Sequence, residues 1–179
     1  MEYKALVTVE ENKKFSNSIE NKNISDLPDN DTLINDKFSS LNYKDALSAS
    51  GSPGVTRNYP HTPGIDAVGN VQESNNPNFK EGDTVIVTGY DLGMDTSGGF
   101  GQYIRVPADW AISLPSGLSE VEAMSLGTAG LTAGLSIKAL EDYANQQLEG
   151  LKSIVTGSTG GVGSIAVMLL SKLGSEVTA

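Results

Sequence analysis

Between Ile154-Val-Thr156 and an apolar stretch that opens at Val162, the sequence places Gly157, Gly160 and Gly163 three residues apart. Those residue types at that spacing fit the binding of a pyrophosphate. One glycine lets the chain turn sharply off a strand, one lets backbone approach the phosphates, and one lets the next helix pack closely on the sheet. The helix start then offers N–H groups without intrahelical partners and the positive end of the helix dipole. The candidate contacts are Gly160, Gly161, Val162, Gly163 and Ser164. Ser158 stands where the usual G-x-G-x-x-G run has its first glycine, so an ordinary strand-to-helix junction is the other reading.

The glycines need a strand before them and a helix after them. Ile154 to Thr156 predicts the strand. Val162, Ile165, Ala166, Leu169 and Leu173 recur at helical spacing, and Gly174 follows where a helix C′ residue sits. Glu176 to Ala179 begins a second strand. Upstream, Ser119 and Glu122 form a capping box that predicts a helix running to Tyr143. Small residues from Thr128 to Gly134 suit close packing of that helix.

The preceding part is β-rich and punctuated by turns. Strands are predicted over Tyr3–Val9, weakly over Phe15–Ile19, and over Asp31–Leu41, Ile65–Glu73, Thr84–Thr88 and Gln102–Val106. A single helical turn is predicted within Leu41–Leu47, and Pro60–Gly64 reads as a rigid turn. The fold class is therefore α/β. A β-rich domain over residues 1–118 precedes bridge helices and a truncated mononucleotide-binding unit over 119–179.

Composition narrows the partners. A formal net charge of −10 argues against nucleic acid and anionic membrane. The chain has no cysteine, which removes disulfides, thiolate metal sites and a cysteine nucleophile. No apolar run approaches the roughly 20 residues of a membrane span. The N-terminus lacks a signal-peptide core, so a cytoplasmic location is expected. The single histidine, His61, lies between turn prolines and is expected to be a loop residue.

Five segments carry a family resemblance in order along the chain. They are Ser39-Ser-Leu-Asn-Tyr-Lys-Asp-Ala-Leu47, Pro63-Gly-Ile-Asp66, Leu126-Gly-Thr-Ala-Gly130, Ala139-Leu-Glu-Asp142 and Val155-Thr-Gly-Ser-Thr-Gly-Gly-Val-Gly163. The chain resembles the N-terminal half of a zinc-free medium-chain dehydrogenase/reductase of the quinone-oxidoreductase-like branch, closest to the bacterial acrylyl-CoA reductases. The resemblance implies a GroES-like substrate domain, a Rossmann domain, NADPH as cofactor and a homodimer at full length. Zinc enzymes of the wider family carry Gly-His-Glu where this sequence has Gly64-Ile65-Asp66, so no zinc is expected here.

Without a metal to polarise a carbonyl, hydride delivery to the β-carbon of an α,β-unsaturated acyl-CoA or a quinone is the implied reaction. The resemblance puts Tyr43 beside the nicotinamide, with Asn42 able to hydrogen-bond there. Packing between domains is the other reading of Tyr43. Thr128 and Thr132 are implied nicotinamide-side contacts, which helix packing explains equally well. Lys44 and Asp45 are expected in structural charge contacts. Arg57 and Lys80 are expected as surface charges. A complete cofactor domain needs more strands than this sequence supplies, and the residue that selects NAD or NADP falls past Ala179. The chain is accordingly expected to be a truncated piece, inactive alone. A non-catalytic GroES-like binding module or an inactive truncated relative is the alternative.

Overall fold

The structure is a computed structural model that describes residues 1–144 and 147–179. The chain divides into two compact units, Met1–Ser125 and Leu126–Ala179.

The first unit opens with β1 (Glu2–Glu11) and β2 (Lys14–Asn23), a ten-residue antiparallel hairpin. Its two-residue tip, Asn12 and Lys13, has left-handed backbone at both positions (φ 53 and 62), the geometry that matches strand twist. The sequence reads only a short weak strand here, because β2 is polar (Lys-Phe-Ser-Asn-Ser-Ile-Glu-Asn-Lys-Asn) and mostly exposed. Pairing with β1, whose Tyr3, Ala5 and Val7 are buried, extends it to Asn23.

A five-stranded antiparallel sheet follows in the order β6-β3-β4-β5-β7. Its strands are β3 (Thr32–Phe38), β4 (Asp66–Ser74), β5 (Thr84–Thr88), β6 (Tyr103–Val106) and β7 (Ala111–Ser113). Ile34, Ala67, Val71, Val85, Val87, Leu92, Ile104, Val106 and Ala111 fill one core, and Phe79 and Trp110 pack on its margin. Tyr3, Ala5, Val7, Leu27 and Leu33 fill a second. The sheet tightens where β3 meets β4. A Cβ on Gly69 would stand 2.1 Å from the Asn35 carbonyl oxygen, so only glycine fits.

Between β3 and β4, α1 (Tyr43–Ala49) is two turns long, where one turn is expected from the sequence. After it comes Gly51 (φ +71), and a Cβ there would lie 2.1 Å from the Phe15 ring. The Tyr59–Pro60 peptide is cis. Backbone bridges Ala5–Gly101 and Thr8–His61 tie the hairpin to the rest of the unit.

α2 (Glu120–Ala144) starts from the capping box. The Ser119 N–H donates to Glu122 Oε2 at 2.9 Å, and the Glu122 N–H donates to Ser119 Oγ at 3.3 Å. The helix is broken at Gly127 (φ 46, ψ −149), a conformation no other residue tolerates well.

In the second unit, β8 (Lys152–Ile154) and β9 (Glu176–Thr178) pair in parallel and flank α3 (Gly161–Lys172). The first strand lies two residues earlier than Ile154–Thr156, because the chain is already turning at Thr156. The Val155 N–H still reaches the Thr178 carbonyl at 2.9 Å. Gly174 (φ +81) closes α3 as expected. Ile137, Leu148 and Leu170 make the core of this unit.

Candidate functional site

Two constellations hold the residues singled out by sequence. In the first unit, Asn42 is the extended residue (φ −123, ψ 156) from which α1 begins, so Tyr43 occupies the first helical position. Asp45, 1% exposed, staples this start to the next segment. Its Oδ2 accepts the Asn42 N–H at 2.7 Å and its Oδ1 accepts the Ile65 N–H at 2.9 Å. Asp45 thus bonds backbone donors; among the described residues no ion pair is found for it, unlike the charge contact expected. Burial raises its carboxyl above the usual range, the two backbone donors pull it down, and the neighbouring Asp66 adds to the rise.

Asp66, fully buried, gathers the turn before α1. Its Oδ2 accepts the Ser40 hydroxyl and, at 3.0 Å, the Asn42 amide. The same amide nitrogen donates to Ser40 Oγ at 2.7 Å, and Ser39 Oγ donates to the Asp66 carbonyl at 2.8 Å. A carboxylate only accepts, so the NH₂ end of Asn42 must face Asp66. The Asn42 amide is thus held on the adjoining Ser40 and Asp66 oxygens inside the turn. Tyr43 points the other way, 80% exposed, and is no part of the unit's core.

The signal that Ser40, Asn42, Asp45 and Asp66 converge is tertiary. They lie on both sides of a loop of some twenty residues, and only the Pro63-Gly-Ile-Asp66 motif hinted at Asp66. Arg57, at the surface, pairs with Asp95 at 3.8 Å. His61 lies outside the strands and helices, as the loop residue expected, and bridges to Thr8. It is buried at 6% exposure, and its Nε2 has no hydrogen-bond partner among the described residues.

In the second unit the glycines make the expected cradle. Gly157 turns the chain with φ +66, and the Gly160 N–H returns to its carbonyl at 3.0 Å. A Cβ on Gly163 would stand 2.2 Å from the Gly157 oxygen, so the helix start and the turn touch through backbone. The first intrahelical bond runs from the Ser164 N–H to the Gly160 carbonyl, at 2.8 Å. That leaves the amides of Gly161, Val162 and Gly163 ahead of the ladder, available to an anion. A Cβ on Gly161 would lie 3.5 Å from Ala129, so the 128–132 stretch of α2 passes beside this turn. Thr132 Oγ1 donates back to the Thr128 carbonyl at 2.7 Å, and Ser164 Oγ to the Gly161 carbonyl at 3.1 Å. The cradle therefore fits a dinucleotide pyrophosphate through main chain rather than side chains.

Among the described residues no group of three or more His, Asp or Glu is placed to hold a metal ion, and no helix is long and apolar enough to cross a membrane.

Residues 28–116 match the alcohol dehydrogenase GroES-like domain. The chain is 42% identical over 170 residues to the acrylyl-CoA reductase AcuI of Ruegeria pomeroyi, covering 95% of this chain and 51% of that one. It is 48% identical over 164 residues to YhfP of Bacillus subtilis, covering 90% of this chain and 49% of that one. The crystal structure of YhfP with NAD bound superposes at a TM-score of 0.93 over 99% of this chain and 54% of that one. The yhdH oxidoreductase of Salmonella enterica in complex with NADP, 43% identical, superposes at 0.92 with the same coverage of each chain. The chain thus spans about half the length of the curated relatives it matches.

Proposed function

Because the chain belongs to the medium-chain dehydrogenase/reductase family, on its quinone-oxidoreductase-like branch, we propose that it serves an NADPH-dependent reduction of an α,β-unsaturated acyl-CoA or a quinone, carried out without zinc. The observation that carries this reading is the Gly157–Gly163 cradle, where a Cβ at Gly163 would fill the space between turn and helix. NADPH, when bound, supplies the hydride that conjugated substrates accept at their β-carbon.

The chain's own residues bind and orient. Gly160, Gly161, Val162, Gly163 and Ser164 present main-chain donors and the helix dipole to the phosphates. Thr128 and Thr132, on the stretch beside that turn, are the nicotinamide-side contacts of the proposal. Tyr43 offers its phenol O–H to the substrate oxygen on which negative charge builds. The Asn42 amide is bonded to Ser40 and Asp66, so its part is to hold, with them, the turn that fixes Tyr43. Residues 1–118 then act as the substrate domain and 119–179 as the first part of the cofactor domain. The working form proposed for the full-length protein is a cytoplasmic homodimer, which light scattering tests. The similarity to the acrylyl-CoA reductase AcuI along 95% of the chain supports the acyl-CoA reading, and that to the quinone oxidoreductase YhfP along 90% supports the quinone.

Titrating the chain with NADPH while following amide resonances tests the cofactor half of the proposal. Shifts are expected at Gly160–Ser164 and are expected to vanish in Gly163→Val. Silence of these amides at millimolar NADPH would overturn it. For the reaction, the full-length protein is expected to oxidise NADPH with an unsaturated acyl-CoA, with negligible oxidation of simple alcohols, and the 179-residue chain alone is expected to be inactive. Tyr43→Phe should lower turnover; wild-type rates and affinity would return Tyr43 to a packing role.

A further inference from the structure

We propose that His61 is an acid-sensitive latch on the turn that carries Asp66 into its hydrogen-bond cluster. Every residue from His61 to Ile65 is tied to a neighbour through the main chain or a carboxylate. His61 exchanges backbone hydrogen bonds with Thr8 of β1, at 2.9 Å from its own N–H and 2.7 Å to its carbonyl. The Thr62, Pro63 and Gly64 carbonyls accept the N–H groups of Gly98, Phe100 and Gly99 at 2.8, 3.0 and 2.9 Å. Ile65 donates to Asp45. Asp66 follows directly. The loop that covers this turn has no slack, since a Cβ on Gly93 would lie 2.5 Å from the Gly64 backbone.

The imidazole is sealed beneath that loop. It stands edge-on to the Tyr59 ring, with centroids 6.5 Å apart, and its Nε2 is buried without a hydrogen-bond partner among the described residues. A neutral ring tolerates this, but a protonated ring would bury an N–H with no acceptor. Burial accordingly lowers the affinity of His61 for a proton, while the Gly93 backbone, Asp95 and Asp91 pull the other way. The surrounding charges are few. Asp91 and Asp95 face the ring from the covering loop, and Asp95 is drawn off by the exposed Arg57 at 3.8 Å. Tyr59, on the same turn, has its phenol raised by burial and stays neutral over this range. From the hairpin side come Thr8 and Asn17, uncharged and bonded to each other at 2.7 Å.

The sign follows from the lowered affinity. In the opened turn the ring takes a proton near its ordinary value of about 6.5, and the closed turn does not. Stability of the closed turn is therefore complete above that pH and is lost as pH falls below it. Acid would loosen Pro63–Asp66 and, with it, the support of the Asn42 turn. The latch stands on packing alone; its bearing on catalysis rests on the oxidoreductase reading.

Amide hydrogen exchange on the full 179-residue chain, with no cofactor or substrate, tests the latch apart from that reading. Between about pH 7.5 and about pH 5, after correction for intrinsic rates, the opening constants at Thr8, Ile65 and Gly98 are expected to rise several-fold while those at Val85 and Val87 hold. His61→Phe keeps an aromatic ring and removes the titration, so the rise should disappear. Equal opening constants at both pH values in the wild type, or an undiminished rise in His61→Phe, would overturn the proposal. Should the variant not fold, titration of the wild-type imidazole by NMR decides. A lowered value supports the latch, and an ordinary or raised one ends it.

Discussion

Up to Ser125 the chain buries what its strands alternate; from Leu126 onward it leaves much of its apolar surface in water. Val85, on a strand paired on both sides, and Ile104 and Val106, on the edge strand β6, are fully buried in the first unit. In the second unit Leu135, Tyr143, Ile154 and Met168 are each more than 60% exposed. The cause is architectural. The antiparallel sheet of the first unit closes a core with the chain at hand, whereas parallel strands are stable when helices and neighbouring strands cover both faces. β8 and β9 pair only with each other among the described residues. Apolar residues of the same kind therefore carry different energetic weight in the two units.

The sharpest way to break that contrast is a matched truncation. Ile104→Ala, at 0% exposure, is expected to cost about 2–5 kcal/mol, whereas Ile154→Ala, at 80% exposure, should change stability by less than about 0.5 kcal/mol. Denaturant titration followed by the single tryptophan, Trp110, which packs beside the first core, reads the former directly. Equal losses would show that the second unit is as well buried as the first.

A smaller effect of opposite sign is expected at Asp36. The residue as a whole is partly exposed, yet both carboxylate oxygens are buried and without a hydrogen-bond partner among the described residues, and burial raises this carboxyl well above the usual range. The unfolded chain loses this proton above about pH 4 and the folded chain keeps it, so its contribution to stability falls as pH rises from there toward the folded value. Asp36→Val should stabilise the first unit by about 1–3 kcal/mol near neutral pH and remove that slope. Melting curves at several pH values check both parts; a destabilised variant would mean that the carboxyl has a partner after all.

The least change is expected at the start of α2. Ser119→Ala removes a hydroxyl that donates to Glu122 Oε2 at 2.6 Å and accepts the Glu122 N–H. Hydrogen bonds from Ser119 hold the Glu122 carboxyl below its usual range, so its titration by NMR should move upward in the variant. An unmoved titration would assign the depression to the Ser119 backbone N–H, which the variant keeps.

Legibility in the sequence follows the same division between local and tertiary causes. Thr84–Thr88 was readable because a continuous β-branched run needs no context, and the Ser119–Glu122 box and Gly174 are likewise local signals. β7 was not, since Ala-Ile-Ser is too short to show alternation and is made a strand by Val85–Val87 alongside it. The break at Gly127 was not legible, because spacing carries no information about φ. At the candidate site the glycine cradle was legible for its geometry is encoded in consecutive residues. The Asp66 cluster was not, because its partners meet only after β4 has joined the sheet.

The contact between Phe15 and Gly51 makes the first hairpin a mechanical part. The ring occupies the place where any side chain at 51 would sit, at the foot of α1, and rests edge-on against Tyr59 with centroids 5.0 Å apart. Asn17 grips the same foot through the Ala49 carbonyl at 3.1 Å. Torque on the exposed Asn12–Lys13 tip is therefore transmitted along β2 to the far end of the helix whose first residue is Tyr43. The tip is a lever arm already attached, and a spin label or surface tether fixed there would sense, or impose, tilting of that helix without touching Tyr43 itself.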